Sequence, residues 1–310
     1  MSNTFRCIDA GSKYCPCNLA ETFECISCSQ LQGKNTCDCS WNGICVLNEF
    51  YLNNRKVKSG RKIYKGIVTQ IKSLNTDVFM LKIKTKRELV KNLNRSGSYV
   101  FIREAEKDSS FDVPMSVLDT DRDECFYIVY KNKGIKTKSL EGVKDLNIKG
   151  PYWNGIQGIN YLKKVKNSNC LVIARGIGQS SIVLPIKEMI RNNNKIYLFL
   201  DSGNININYA INFLDEDVDV IRGDLYEDGG KIQELIIKNN IKLLFSSGSD
   251  LIHSHINNLI KDIKGNIYYM TSNNNTICCG EGICGSCIRR LDKGEKARMC
   301  KSQVNPKILF

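Results

Sequence analysis

The pattern of apolar and polar positions changes near residue 150. Between Arg61 and about Gly150, short alternating or apolar runs recur, and turn-forming residues separate them. Runs of this length predict β-strands, and several in succession predict a small antiparallel β-barrel. The four clearest runs are Ile67 to Ile71, Val78 to Ile83, Ser98 to Arg103 and Cys125 to Tyr130.

After Gly150 the pattern alternates between buried strands and helices. Such alternation predicts a parallel sheet with helices on both faces, which binds ligands at the carboxyl ends of its strands. The predicted strands are Leu171 to Ala174, Ile196 to Leu200, Val218 to Ile221, Lys242 to Phe245 and Asn266 to Tyr269. The predicted helices are Gly176 to Arg191, Ile232 to Lys238 and Leu251 to Ile260.

The first fifty residues have a different composition, because they hold eight of the 15 cysteines and few apolar residues. Eight thiols suffice for two four-coordinate sites, so we expect metal to organise this segment, with zinc and iron–sulfur both open. A polar linker is predicted over residues 51–60, and Cys125 and Cys170 are interpreted as core residues. The candidate ligands are Cys7, Cys15, Cys17, Cys25, Cys28, Cys37, Cys39 and Cys45.

The C-terminal cysteines have a more specific spacing. Cys279, Cys284 and Cys287 form a CxxxxCxxC run, and Cys300 follows at a distance, as in plant-type [2Fe–2S] loops. Three interleaved glycines would let the backbone wrap tightly around such a cluster. Two disulfides or a zinc site are the alternatives.

The distribution of charge along the chain and the expected cellular compartment restrict the possible functions further. The net charge is +13, yet the surplus lies in residues 51–107, with 15 Lys+Arg against 4 Asp+Glu, while the cysteine-rich head is slightly acidic. This argues against nucleic acid; the basic region suits a phosphate-bearing cofactor, an acidic partner or an ordinary solvated face. No secretion signal and no membrane-spanning run is recognised, so a reducing cytoplasm and no membrane insertion are expected.

Three places in the second half are candidates for nucleotide binding. Gly176-Ile177-Gly178 joins a strand to a helix, as a pyrophosphate loop or a plain tight turn would. Asp201 ends the next strand, where it would bond a ribose or simply form a turn. Gly248 follows the fourth strand in a run of small residues, which would leave room for nicotinamide or cap a helix. His253 and His255 lie on different helix faces, so neither a shared metal nor a catalytic pair is expected.

The order of the predicted parts, a β-barrel, a nucleotide-binding α/β unit and a [2Fe–2S] loop, resembles that of the electron-transfer subunit of dihydroorotate dehydrogenase. This subunit belongs to the ferredoxin-reductase superfamily, and the resemblance covers about residues 61–305. Its terminal signature is similar to CGxGxCxxC followed about a dozen residues later by Cys, which Cys279 to Cys300 matches. The nucleotide-side motif keeps only its core at Gly176 to Gly178. The family's Cys-Gly after the fourth strand is Ser247-Gly248 here.

The resemblance also implies FAD. The family's Arg-Pro-x-Ser strand, Gly-Thr pair and Gly-Pro-x-Gly-Asn-Gly turn correspond to Val113-Pro114-Met115-Ser116, Gly134 to Thr137, and Gly150 to Gly155. Val113 replaces the arginine that would pair with the FAD pyrophosphate, and Lys136 replaces a glycine. Lys136 or Lys138 is a candidate to supply the missing charge. The implied flavin-side residues are Val113, Pro114, Met115, Ser116, Val129, Tyr130, Lys136 and Thr137.

The resulting prediction is an α+β multidomain oxidoreductase. Its parts are a metal-binding segment (1–55), an FAD barrel (56–152), an NAD(P)-binding α/β domain (153–270) and a [2Fe–2S] domain (271–310). It would pass electrons between NAD(P)H and a catalytic or bifurcating redox partner subunit in a heteromeric complex. A self-contained NAD(P)H:ferredoxin or sulfide-linked reductase and a redox-sensing regulator are the alternatives.

Overall fold

A computed structural model describes residues 6–39, 42–121, 124–214, 217–291 and 294–310. The chain divides into two compact units. The first contains the chain up to Lys62, Asn275–Val304 and Leu309, and the second contains Ile63–Asn274, Asn305–Ile308 and Phe310. The cysteine-rich head and the C-terminal cysteine loop therefore belong to one unit, although the sequence-based division treats them as separate. The four-part division stays a prediction.

The second unit begins with a curled antiparallel sheet in the order β5-β4-β8-β2-β3-β7-β6. One face of the sheet covers a core of branched and aromatic side chains such as Leu81, Ile83, Phe126 and Ile148. The strands are β2 (Ile63–Ser73), β3 (Val78–Lys84), β4 (Tyr99–Glu104), β5 (Val113–Ser116), β6 (Asp119–Asp121), β7 (Cys125–Lys131) and β8 (Asp145–Tyr152).

The same unit continues into a six-stranded sheet in the order β12-β11-β10-β13-β14-β9. Five strands are parallel, and β9 pairs antiparallel with β14. The chain runs outward from β10 to β12 and then returns to the other side of β10, so the strand order reverses there. Its strands are β9 (Ile156–Gln157), β10 (Asn169–Arg175), β11 (Lys195–Asp201), β12 (Val218–Arg222), β13 (Leu243–Ser247) and β14 (Tyr268–Ser272).

Helices cover both faces of this sheet because successive residues of its buried strands point in opposite directions. In β10, Val172 and Ala174 share a core with the helix Val183–Arg191, whereas Leu171 and Ile173 share one with the helices Gly229–Lys238 and Asp250–Lys261. The helices of this unit are α3 (Arg87–Leu93), α4 (Ile135–Lys138), α5 (Tyr161–Lys164), α6 (Val183–Arg191), α7 (Gly229–Lys238) and α8 (Asp250–Lys261).

The first unit is built from short elements. Its β1 pairs antiparallel with β17, placing Cys7 opposite Ser302, and β15 forms a hairpin with β16. A small core contains Ala20, Leu31, Val46 and Phe50 together with two cysteines. The elements are β1 (Arg6–Cys7), α1 (Asn18–Glu21), α2 (Val46–Leu52), β15 (Ile288–Arg290), β16 (Lys296–Arg298) and β17 (Ser302–Gln303).

The predicted fold class is confirmed, while several local expectations need correction. The segment after β10 starts as a 3₁₀-helix over Gly176–Ser181, and the α-helix begins only at Val183. Tyr51 and Leu52 belong to α2, and the rest of the expected linker is anchored, for example through Lys58 Nζ to Glu49 at 2.6 Å. Gly150 and Pro151 continue β8 instead of forming a turn. The head has the small core just described, which its composition did not predict.

Candidate functional site

The glycine turn after β10 lies against the end of β13, at the carboxyl edge where the strand order reverses. A Cβ added to Gly178 would lie 2.4 Å from the Ser247 carbonyl oxygen, so only glycine fits this approach. The Ser247 hydroxyl donates to the Gly178 carbonyl at 2.7 Å and lies 2.6 Å from the Ser181 hydroxyl. Gly176 has a φ of 56°. Two of the three predicted nucleotide-binding places, Gly176 to Gly178 and Gly248, thus adjoin at the edge where such sheets bind ligands.

Gly248 and Ile177 complete this edge. Gly248 has a φ of 158°, and a Cβ there would lie 2.4 Å from Ile252. The Ile177 side chain is exposed, and its carbonyl accepts hydrogen bonds from the Ser180 hydroxyl at 2.8 Å and the Tyr209 hydroxyl at 3.2 Å.

A buried polar network supports the same edge, and sequence reasoning missed it. Ser246 Oγ lies 2.7 Å from His253 Nδ1 and 2.8 Å from the Tyr269 hydroxyl, which donates to the His253 carbonyl at 3.0 Å. The other ring nitrogen of His253 lies 3.1 Å from Ser272 Oγ. The network ties β13, β14 and α8 together. Its only signal in the sequence was a histidine on the apolar side of a helix.

The two histidines have separate surroundings. His253 is fully buried in the network, whereas the His255 ring packs 5.1 Å from the ring of Tyr226. The Thr271 hydroxyl, at the carboxyl end of β14, is buried and has no hydrogen-bond partner within the described ranges. A buried hydroxyl without a partner is costly.

Asp201 is engaged by the protein itself. Its carboxylate receives Arg175 Nε at 2.7 Å, the Gly203 amide at 2.7 Å and the Leu225 amide at 3.1 Å. The Arg175 guanidinium also lies 5.3 Å from the centre of the Tyr226 ring, which is half exposed. This geometry agrees with the interpretation of Asp201 as a turn residue. Binding of a ribose by Asp201 stays a prediction.

The flavin-side residues lie on three neighbouring elements. β5 pairs with β4, which sets Val113 opposite Ile102 and Ser116 opposite Tyr99, while Pro114 is exposed and Met115 buried. Lys136, in α4, donates from Nζ to the Asp112 carbonyl at 3.1 Å. A lysine ammonium therefore stands at the start of β5, next to the position where valine replaces the family's arginine.

Other predicted flavin-side residues have structural roles. The Thr137 hydroxyl accepts the amides of Lys133 and Gly134, each at 3.0 Å, and so fixes the start of α4. Val129 and Tyr130 are buried in β7, where burial raises the pKa of Tyr130 to about 12. Ser98, which precedes β4, has a buried hydroxyl that no described residue bonds.

The C-terminal cysteine loop turns at three glycines. Gly280, Gly282 and Gly285 have φ values of 71°, 78° and 77°, which confirms the expected left-handed turns. The Cys284 sulfur forms a hydrogen bond with Ser286 Oγ at 3.4 Å, and this bond lowers the pKa of Cys284 to about 7. The Glu281 amide donates to Cys279 Sγ at 3.3 Å.

The two remaining predicted ligands, Cys287 and Cys300, are buried. The interaction between the two thiols lowers the pKa of Cys287 and raises the pKa of Cys300. The charge of Cys279 also raises the pKa of Cys300. Four thiols at this spacing, three of them on a glycine-rich loop, have the ligand chemistry of a [2Fe–2S] cluster.

A buried ionic cluster, formed by Asp9, Arg61, Glu281 and Lys301, lies beside this loop. Lys301 Nζ contacts Asp9 at 2.6 Å and Glu281 at 2.9 Å, and Arg61 contacts the same two carboxylates at 2.7 and 3.1 Å. Burial lowers the pKa of Lys301, but Asp9 and Glu281 raise it overall. Sequence reasoning missed the cluster, because nothing local marks residues nearly 300 positions apart as partners.

The head cysteines are all free thiols, as are the other seven. Cys25 and Cys28 are buried, Cys7, Cys15 and Cys17 are half-buried, and Cys37, Cys39 and Cys45 are exposed. Within the part of the chain that the structure describes, no three cysteine, histidine or acidic side chains form a group close enough to hold a metal ion. Cys125 and Cys170 are buried in β7 and β10, as core residues would be.

Comparison with solved structures shows which folds this chain is similar to. An NADH-dependent reduced ferredoxin–NADP oxidoreductase, studied for flavin-based electron bifurcation, is 19% identical with a TM-score of 0.61, over 79% of this chain and 91% of that one. The ferredoxin reductase of carbazole 1,9a-dioxygenase, in its FAD apo form, is 12% identical with a TM-score of 0.53, over 68% and 67%. Ferredoxin–NADP⁺ reductase from Plasmodium falciparum is 14% identical with a TM-score of 0.51, over 65% and 90%.

The fold is similar to that of ferredoxin reductases. No family model matches the sequence, and no curated protein matches it. Among the helices of the described residues, none has both the length and the apolar character needed to cross a membrane.

Proposed function

We propose that this chain is an NAD(P)H-linked iron–sulfur flavoprotein that passes electrons to or from a redox partner subunit. The observation that carries the proposal is the spacing of Cys279, Cys284, Cys287 and Cys300 around three glycines with positive φ, in a chain whose fold is similar to that of ferredoxin reductases. The chemistry that bound FAD supplies is the conversion between two-electron transfer with nicotinamide and one-electron transfer with a cluster.

Each group of residues has a distinct part in this proposal. The turn at Gly176 to Gly178 would receive the pyridine nucleotide, because it follows β10 at the carboxyl edge of the sheet and a Cβ added to Gly176 would meet only the Ser202 carbonyl oxygen, at 3.8 Å. β5 and Lys136 would hold the flavin cofactor, with the lysine ammonium facing its pyrophosphate. The four C-terminal thiolates would hold a [2Fe–2S] cluster, whose outer hydrogen bonds come from the Glu281 amide and Ser286.

The subunit assignment goes one step further. The first of the similar structures was studied for flavin-based electron bifurcation, and the motif resemblance is to the electron-transfer subunit of dihydroorotate dehydrogenase. We therefore propose a catalytic or bifurcating flavoprotein as the partner. The eight head cysteines would bind additional metal, either zinc or iron–sulfur. A cytoplasmic location and the choice between NAD and NADP stay predictions.

The test uses the full chain prepared without oxygen. Iron, acid-labile sulfide, zinc and flavin are measured, and absorbance spectra are taken before and after addition of NADH or NADPH. We expect flavin, about two irons per chain from the C-terminal loop, and bleaching of the flavin by one of the nucleotides. Flavin that neither nucleotide reduces, or fewer than two irons per chain, would contradict the proposal.

Two variants separate the cluster from the flavin. Cys287→Ser should keep reduction of the flavin by the nucleotide and lose transfer to a one-electron acceptor protein. Cys278→Ser is the matched control, because Cys278 is exposed and adjoins the ligand Cys279. Onward transfer that survives Cys287→Ser, or is lost equally in the control, would remove the loop from the route.

A further inference from the structure

One arginine of the first unit joins the end of α1 to the cysteine loop and to the hairpin that follows it. Arg298, in β16, donates from Nε to the Gly282 carbonyl at 3.0 Å and from Nη2 to Glu24 at 2.8 Å. Across the hairpin it lies opposite Ile288 of β15. A Cβ added to Gly282 would also lie 3.0 Å from Leu19 of α1. These contacts bring three segments that are far apart in the sequence to one surface.

Three large apolar side chains next to the Arg298 contacts are exposed. Phe23 is 63% exposed and precedes the glutamate that Arg298 binds. Ile283 is 60% exposed and follows the glycine whose carbonyl Arg298 binds. Ile288 is 42% exposed and lies opposite Arg298 itself. Ile283 and Ile288 are each next in the sequence to a predicted cluster ligand. The first unit thus exposes apolar side chains beside the cysteines that would hold the cluster.

Phe23 has a backbone conformation that phenylalanine rarely adopts. Its φ is 57°, in the left-handed region, directly after the C-cap of α1. The Glu24 amide donates to the Leu19 carbonyl at 2.8 Å, which is the bond that closes a Schellman turn. Glycine or asparagine usually occupies the left-handed position of such a turn. Neither the backbone nor burial favours an aromatic ring here, whereas contact with another molecule would.

The hairpin adds positive charge to this surface. Its strand residues include four cations, Arg289, Arg290, Lys296 and Arg298, and no carboxylate. Arg289 and Arg298 are engaged by the protein itself. Arg290 and Lys296 are exposed and lie directly opposite each other, on the same side of the hairpin as Ile288. Like charges in opposite positions repel, so the free chain keeps a cost that an acidic partner would remove.

We propose that Phe23, Ile283, Ile288, Arg290 and Lys296 form a docking surface for an acidic electron-carrier protein. An apolar centre with charged residues around it is the usual composition of a protein interface. The two cations would steer the acidic carrier, and the three apolar side chains would hold it. One electron would pass between the cluster and the docked carrier, one being oxidised and the other reduced, and no bond would form. The inference rests on the proposed function for the cluster that exchanges this electron.

The head takes part in partner recognition on this proposal. Phe23 precedes the region of about residues 61–305 over which the chain resembles the electron-transfer subunit of dihydroorotate dehydrogenase. A partner recognised through Phe23 would therefore depend on a part of the chain that lies outside that resemblance.

The first test measures binding and needs no electron transfer. The full chain, purified without oxygen, is immobilised; the probe is an acidic plant-type [2Fe–2S] ferredoxin, and basic cytochrome c is the comparison. Association is measured at about 0.01 M and about 1 M salt, where the Debye lengths are about 30 Å and about 3 Å. We expect the ferredoxin to associate faster at low salt and cytochrome c not to bind. Binding of cytochrome c instead of the ferredoxin would overturn the proposal.

Charge-reversal variants locate the binding. Arg290→Glu combined with Lys296→Glu should slow association of the ferredoxin by about 10-fold or more at low salt, and the difference should disappear at high salt. Lys238→Glu combined with Lys261→Glu is the matched control, because both are exposed lysines on helices of the second unit. An unchanged association rate in the hairpin variant, or an equal loss in the control, would refute the assignment.

A substitution at Phe23 separates docking from folding. Asparagine tolerates the left-handed conformation, so Phe23→Asn should keep the turn and unfold at the temperature of the parent chain or higher. The ferredoxin should nevertheless dissociate about fivefold faster or more, because an apolar contact is lost. Leu251→Asn is the control, because Leu251 is 75% exposed in α8 of the second unit. Parental dissociation from Phe23→Asn, or equal acceleration in the control, would contradict the proposal.

Light scattering tests the other occupant, a second copy of this chain. Self-association that the hairpin variant abolishes, together with no binding of the ferredoxin, would assign the surface to a second copy and overturn the proposal. A chain that scatters as a single copy and binds the ferredoxin would support it.

The iron and flavin measurements distinguish this inference from the proposed function. Ferredoxin binding that depends on Phe23, in a chain whose flavin no nicotinamide reduces, would support the docking surface and reject the proposed function. Flavin reduction with about two irons per chain, and ferredoxin binding that no variant changes, would do the reverse.

Discussion

Replacing Asp9 with asparagine should loosen the unit that contains the cysteine loop. The Asp9 carboxylate uses both oxygens, one for Arg61 at 2.7 Å and one for Lys301 at 2.6 Å, and all three side chains are at most 2% exposed. Asparagine keeps the shape, but it removes the charge and turns an amide donor toward one of the cations. Two buried cations would then share only Glu281.

The magnitude follows from burial. Removing one partner from a buried ion pair costs about 3–5 kcal/mol, because the remaining charge stays away from water without compensation. We expect a loss at this level, since Asp9 is shared by two cations. A loss of about 3–5 kcal/mol in opening free energy corresponds to amide exchange that is faster by about 150-fold to 5,000-fold.

Hydrogen exchange read by mass spectrometry resolves the effect by segment. Peptides from residues 6–39 and 294–304 should exchange faster in Asp9→Asn, while peptides from β10 and β13 should not change. Asp38→Asn is the control, because its ion pair with Lys34 is about half exposed on both sides. Exposed pairs contribute little, so that variant should exchange like the parent protein.

The reasoning would be refuted if Asp9→Asn changed exchange by less than about tenfold, which is about 1.4 kcal/mol. It would also be refuted if Asp38→Asn had the same effect. In either case the buried ionic cluster would not be what holds the head to the C-terminal loop.

Three further outcomes are expected. Burial by itself would raise the pKa of Asp9, but Lys301 and Arg61 hold this pKa below its usual value. The stability that the ionised Asp9 contributes should therefore be complete above about pH 4 and be lost as the pH falls further. Hydrogen exchange of the same peptides, measured over an acid titration, would show this loss. Gly178→Ala should destabilise the second unit by about 1–3 kcal/mol in urea unfolding, because the added Cβ would overlap the Ser247 backbone. Gly230→Ala should not destabilise it, because there is open space around Gly230. Equal urea midpoints of the two variants would contradict the packing argument. Lys136→Met should weaken FAD binding by about 10-fold to 150-fold, which is the effect of losing a hydrogen bond from a charged group. Lys138→Met should leave the affinity for FAD unchanged. Equal affinities of the two variants, measured by flavin fluorescence, would exclude Lys136 as the substitute for arginine.

Much of the fold was predictable because burial leaves a period in the sequence. The runs at Leu171 to Ala174 and Ile196 to Leu200 indicated buried parallel strands, and both lie inside the observed β10 and β11. Local chemistry was predictable for the same reason. The spacing of Cys279, Cys284 and Cys287 with their glycines describes one loop, and its positive φ values follow from residues only a few positions apart.

The sequence by itself therefore determined the order of the strands and helices, the glycine turns and the cysteine loop. Tertiary structure alone decided that the head and the C-terminal loop belong to one unit, that Asp9 meets Lys301, and that Asp201 is occupied by Arg175. The physical reason is that periodicity reports which side of a segment is buried, but not which distant segment covers it.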